Sequence, residues 1–154
     1  EGQFDAILLA SAGLRRLGLG QRIAELLDPE LMCPAVGQGA HAIETREDSG
    51  HAEHVCAKLD HLETRVAVTA ERAVLASLGG GCQVPIGALA QGMRPVRLQA
   101  LIISPDGRNI VRGSLETDAE HAAEAGWELG ERLLAEGGRA ILDVGHALAC
   151  PPNV

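Results

Sequence analysis

Apolar residues recur along this chain with two periods, and the switch between them divides it. Residues 4–10 (FDAILLA) are a short continuous apolar run, which predicts a buried strand. Ser11 follows as a candidate cap for a short helix carrying Leu14 and Leu17, interrupted by Gly18 and Gly20. A second helical stretch is expected over residues 21–27, stopped by Asp28-Pro29. Pro34, Gly37 and Gly39 make residues 31–40 a loop, leading into a weak strand over 40–45 and a turn at 47–50. From about residue 51 to 78 apolar positions return at helical spacing: Val55, Leu59, Leu62, Val66, Ala70, Val74 and Leu78. That run is long for one globular helix, so a bend is expected near Asp60 or His61.

Gly79-Gly80-Gly81 ends the helical pattern, and the period then shortens. Residues 86–91, 96–104 and 109–116 read as strands. Pro105-Asp106-Gly107 is a turn that should join the last two as an antiparallel hairpin. Thr117 or Asp118 is placed to cap a final helix over 119–136, with Ala122, Ala125, Leu129, Leu133 and Leu134 on one face and Gly137-Gly138 as its stop. Residues 140–144 form a short apolar end piece. The expected fold is therefore partial α/β structure followed by a small α+β domain, a three-stranded antiparallel sheet covered by helices. The boundary falls near residue 60: residues 1–60 look incomplete, and 61–150 can bury a core of their own.

At 154 residues, with 46% apolar and 22% charged residues, the composition is that of an ordinary globular chain. One Phe, one Trp and no Tyr leave the core to Leu, Ile, Val and Ala, and leave no aromatic platform for single-stranded nucleic acid. A net charge of −8 argues against nucleic acid and anionic membranes as partners. No apolar run is long enough to cross a bilayer, and no secretory signal opens the chain. The four cysteines contain no C-x-x-C pair and are read as reduced thiols of a cytoplasmic protein. Starting without Met and running straight into an apolar strand, the chain reads as one entered in the middle.

Five places are candidates for chemistry. Cys82 follows three glycines, which leave a thiol approachable as nucleophile or covalent anchor. The same residue is also compatible with a small buried thiol at a helix end. Arg15-Arg16 follows the first apolar run, where α/β sheets present ligands, and guanidinium groups suit a small polycarboxylate. Adjacent helical residues diverge, so at most one of the pair faces a pocket. Two solvated arginines are the plainer alternative. Gln38, in the PAVGQGA loop, can hydrogen-bond a ligand or simply belong to a connector. His51, His54 and Cys56 do not assemble a four-ligand metal set and read as a solvated face, as do His61 and Glu63. Arg72, next to Glu71 in the helix leading to Cys82, can pair with a carboxylate of a neighbouring element or help stabilise a thiolate, and a surface ion pair is the plainer reading.

Three segments stand in fixed order: FDAILLASAGLRRLGL, LMCPAVGQGAHAIE and HLETRVAVTAERAVLASLGGGCQVPIGALA. Together they resemble the C-terminal half of the porphobilinogen deaminases (hydroxymethylbilane synthases). GGCQVPIG at 80–87 is the most specific motif, then PAVGQGA and ASAGLRRLG. The resemblance implies a transferase of tetrapyrrole biosynthesis. Such enzymes join four porphobilinogens stepwise into hydroxymethylbilane, releasing ammonia. It implies a dipyrromethane cofactor held by a thioether at Cys82, and Arg16 binding acetate and propionate carboxylates. Arg15 would have a looser basic role, and Gln38 would lie near the cofactor. Glu71 and Arg72, in the ERA segment, are assigned structure rather than chemistry. The family commonly has Glu where Gly79 stands, which loosens the loop without removing the anchor.

The resemblance also implies what these residues lack. The family's catalytic aspartate and most cleft-lining cations belong to an N-terminal half, so no catalytic residue is expected in this portion. The implied partners are porphobilinogen, oligopyrrole intermediates and that missing half, within an intact enzyme that is monomeric. A fragment, a split-gene product and one of two chains all fit this expectation. The competing reading is a non-catalytic α+β ligand-binding or interaction module with Cys82 buried.

Overall fold

The computed structural model describes residues 2, 4–48, 50–79 and 85–143. The chain forms two compact units, Glu1–Met32 and Cys33–Val154. Cys82 and Cys150 lie outside the described residues.

In the first unit, helix α1 spans Ser11–Arg16, with Ala10 at the N-cap and no side-chain cap. Ser11, expected as the cap, is thus the first helical residue. Residues 4–10 do not form the expected strand: among the described residues nothing pairs with them, and their apolar side chains are exposed. A strand exists only where a neighbour accepts its backbone hydrogen bonds. The helix expected over 21–27 reduces to a single 3₁₀ turn, Gly20–Arg22. Short helices draw most of their stability from packing an apolar face, and Leu26 here faces solvent.

The second unit begins with irregular chain. The strand expected over 40–45 is absent. Helix α2, Gly50–Ala57, buries no residue, and helix α3 follows at Leu62–Ser77. The break between them falls at the expected place. His61 fixes it: its Nδ1 accepts from Thr64 N at 3.3 Å, capping α3. Val66, Ala70 and Val74 of α3 are buried, with Leu78 just beyond.

Strands β1 (Ile86–Gln91), β2 (Val96–Ile103) and β3 (Ile110–Thr117) form one antiparallel sheet in the order β1-β2-β3. The β2–β3 hairpin closes on Gly107, whose φ of +72° is the left-handed conformation the turn requires. Leu98 pairs with Ala90 and Leu115, and Ile102 with Ile86 and Val111. Val96, Leu98, Ala100 and Ile102 therefore project on one face and form the centre of the core.

Helix α4, Ala122–Leu133, covers that face together with α3 and buries Ala122, Ala125, Leu129 and Leu133. A 3₁₀ turn, Ala119–His121, leads into it, and Asp118 stands at the cap position of that turn without a side-chain cap bond. Two glycines set the closeness of the helices. A Cβ at Gly126 would overlap the Ala70 carbonyl oxygen and stand 2.7 Å from Ala73 Cβ; one at Gly130 would overlap Ser77 Oγ. The final helix breaks at Gly137, as expected. A π-type segment, Leu134–Gly138, with Gly137 at φ +112°, kinks the chain into further helix over residues 139–143. Burial of Ile141 and Leu142 in the core holds that extension in place.

Candidate functional site

The loop at residues 33–40 owes its shape to two glycines, Gly37 at φ +69° and Gly39 at φ +87°. Gln38 N donates to Ala35 O at 3.0 Å, and Ala40 N to Gly37 O at 3.1 Å. Gln38 is exposed, but its Oε1 accepts from Ala35 N at 3.1 Å, so the side chain braces its own turn.

This loop lies along the outer edge of β1. Edge strands present unpaired amides, and two of those on β1 are taken. Ala88 N donates to Pro34 O at 3.1 Å. Ala90 N donates to Glu71 Oε1 at 2.9 Å. The other carboxylate oxygen, Oε2, accepts from Gly37 N at 2.7 Å. One side chain thus ties helix α3 to strand β1 and to the glycine loop. Close approach of the loop also explains Gly87, where a Cβ would sit 3.1 Å from both the Cys33 and Pro34 oxygens.

Glu71 is 5% exposed, and no ion pair to it occurs among the described residues. Arg72 is exposed but makes no ion pair among the described residues, so the surface ion pair expected of it is not found, while Glu71 points inward to backbone amides. Burial pushes the Glu71 carboxyl above its ordinary range, opposed by the hydrogen bonds from Ala90 and Gly37. Cys33 sits nearby, half-buried. Its thiol is also pushed up by burial, against the lowering effect of Arg112 and reinforced by Glu71. That environment keeps it a thiol rather than a thiolate nucleophile. An open cavity of about 330 Å³ lies over this junction, lined among others by Gln38, His61, Thr64, Glu71 and Gln91.

The remaining candidates are distributed as follows. Arg15 and Arg16 form the last turn of α1 in the first unit and are exposed. Cationic side chains are favourable at a helix C-terminus. Gln38 stands in the second unit. The residues flanking Cys82 are placed at both ends: Gly79, at φ +66°, closes α3, and Pro85 O accepts from Ile103 N at 3.0 Å just before β1. His51 and His54 are exposed and Cys56 partly so. The one grouping with metal-ligand spacing among the described residues is Asp118, Glu120 and His121, all exposed.

Sequence reasoning gave Glu71 a structural role but missed its burial and its partners, although a signal was available. Glu71 falls within the apolar stripe of α3, next to Ala70 and three residues before Val74. A carboxylate inside a helix's buried face needs partners, and so announces a hydrogen-bonded role.

Known proteins resemble both segments. A family model described as "Porphobilinogen deaminase, dipyromethane cofactor binding domain" matches residues 1–54. A second, "Porphobilinogen deaminase, C-terminal domain", matches residues 65–135. A curated protein of Roseiflexus sp. (strain RS-1), named porphobilinogen deaminase, is 49% identical over 144 residues, covering 92% of this chain and 47% of its own length. The chain thus spans about half the length of that relative.

Proposed function

Since the chain belongs to the porphobilinogen deaminase family, we propose that it is the C-terminal portion of an enzyme making hydroxymethylbilane. The proposed reaction condenses four porphobilinogens head to tail. At each step a carbon–carbon bond forms to the aminomethyl carbon of the incoming unit, and ammonia leaves. The observation that carries this reading is the family match on both sides of residue 60, within which Cys82 stands in GGCQVPIG. Residues 1–60 are read as remnants of the family's first two domains, and 61–150 as its C-terminal domain.

Within this reading Cys82 holds the dipyrromethane as a thioether, and Arg16 binds pyrrole carboxylates with Arg15 beside it in a looser role. Gln38 lies near the cofactor, in the glycine loop. When bound, the dipyrromethane supplies the primer on which the chain grows. The donor set fits such a group: exposed guanidinium groups match acetate and propionate side chains in a bidentate fork. Gln38 lines an open cavity, so a bulky ligand is not excluded there. No carboxylate in this portion is assigned to ammonia loss, because the one buried carboxylate among the described residues, Glu71, is committed to two backbone amides. General acid–base help is therefore assigned to the N-terminal half that the family resemblance implies. No helix among the described residues is long and apolar enough to cross a membrane, and a cytoplasmic location is proposed.

The test is the mass and colour of the intact enzyme. A dipyrromethane adduct should add its mass to the polypeptide and colour with an aldehyde reagent for pyrroles, and Cys82→Ser should abolish both. Arg16→Ala should lower the loaded fraction more than Arg15→Ala. A purified enzyme with the bare polypeptide mass, and a Cys82 that resists alkylation, would instead support a non-catalytic binding module.

A further inference from the structure

We propose that Glu71 is a positioning residue for the cofactor-anchoring segment, holding helix α3, strand β1 and the glycine loop at one fixed junction. The inference rests on the reading above for what the segment carries, but its geometry does not. The segment bearing Cys82 leaves α3 after Ser77 and enters β1 at Ile86. Its two ends are therefore only as well placed as α3 and β1 are relative to each other. Glu71 bridges them from within: its backbone belongs to α3 and its Oε1 accepts from Ala90 N of β1. Its Oε2 accepts from Gly37 N, next to Gln38, so the same carboxylate sets the loop proposed to face the cofactor.

The chemistry selects glutamate. Two amide donors converge on one side chain from different elements, and a carboxylate has two acceptor oxygens to meet them. Glutamine has one oxygen, and its NH₂ would be set against the second N–H. Aspartate keeps the charge but is one methylene too short to reach both. Ala90 is buried, so its amide goes unsatisfied rather than being rehydrated when the carboxylate oxygen is lost.

The experiment compares the intact enzyme with Glu71→Gln, Glu71→Asp and a control, Leu115→Ala. Leu115 packs on the core from β3, away from the junction. Amide hydrogen exchange should accelerate about tenfold or more at Gly37 and Ala90 in both Glu71 variants, with β2–β3 pairs unchanged. At a temperature where all variants are folded, the rate of covalent pyrrole loading should fall about tenfold in the Glu71 variants. Leu115→Ala, though less stable, should load like the parent. Positioning is overturned if the Glu71 variants load at the parent's rate, or if Leu115→Ala loses loading equally. Failure of the underlying reading looks different: Cys82→Ala would then carry the same pyrrole mass as the parent, whatever the exchange data show. If Glu71→Gln does not fold, Glu71→Asp is read by the same criteria.

Discussion

Strand β2 and the apolar run at residues 4–10 have similar composition, and the molecule treats them oppositely. Val96, Leu98, Ala100 and Ile102 are each 1% exposed or less, whereas Phe4, Ile7, Leu8 and Leu9 are 60–78% exposed. The difference lies in neighbours. On either side β2 has a strand that takes its backbone hydrogen bonds, and two helices cover its apolar face. The early run has no strand partner among the described residues. Burying a Leu or Ile side chain is favourable by about 1.5–3 kcal/mol, but only against a complementary layer. An isolated apolar strand offers half of an interaction.

The most severe way to break this contrast is to push the covering layer off the sheet. Gly126→Val inserts a branched side chain where α4 meets the Ala70 carbonyl, and backbone cannot yield as a flexible side chain would. It should cost more than about 3 kcal/mol, at or beyond the upper range for overpacking, and abolish the cooperative urea transition. A folded variant with an unchanged midpoint would show that the helices are not held at that separation.

A smaller effect should come from pH. The folded state binds the Glu71 proton more tightly than the unfolded chain does, because its carboxyl is raised by burial. A raised carboxylate contributes stability that is present at low pH and is lost as pH rises through the folded value. Urea midpoints should therefore fall more steeply for the parent than for Glu71→Gln as pH rises above the ordinary carboxylate range. Parallel profiles would mean that Glu71 does not titrate differently on folding. The clamp is on this account held at some expense in stability, as is usual for groups kept for placement.

The smallest effect is expected at the exposed run. Leu8→Ser should change the stability of this chain by no more than about 0.5 kcal/mol, as for other exposed positions. It should nonetheless weaken association with the proposed N-terminal half, measured by co-purification or titration. A large loss of stability in the chain alone would show that Leu8 is already packed.

Much of the second unit was legible in advance. The helical period up to Leu78, the change of period after the glycines and the turn at Pro105-Asp106-Gly107 predicted α3 and the three strands nearly to the residue. Those features are local, set by side chains within a few positions of one another. The failures at 4–10, 21–27 and 40–45 share a cause: each segment depends on packing or pairing that its own residues do not supply. Of the candidate site, the loop at 33–40 was visible as a glycine-bracketed motif, but its attachment to β1 was not.

The order of residues by itself determined where α3 and the three strands lie, and which family motifs the chain carries, because both are written in contiguous residues. Only the tertiary structure decided that Glu71 turns inward to amides 34 and 19 positions away, and that Gly126 and Gly130 let two helices touch. Hydrogen-bond satisfaction and close packing depend on what the fold brings alongside a residue, and a carboxylate or a glycine has the same local signature whether it faces water or a neighbouring backbone.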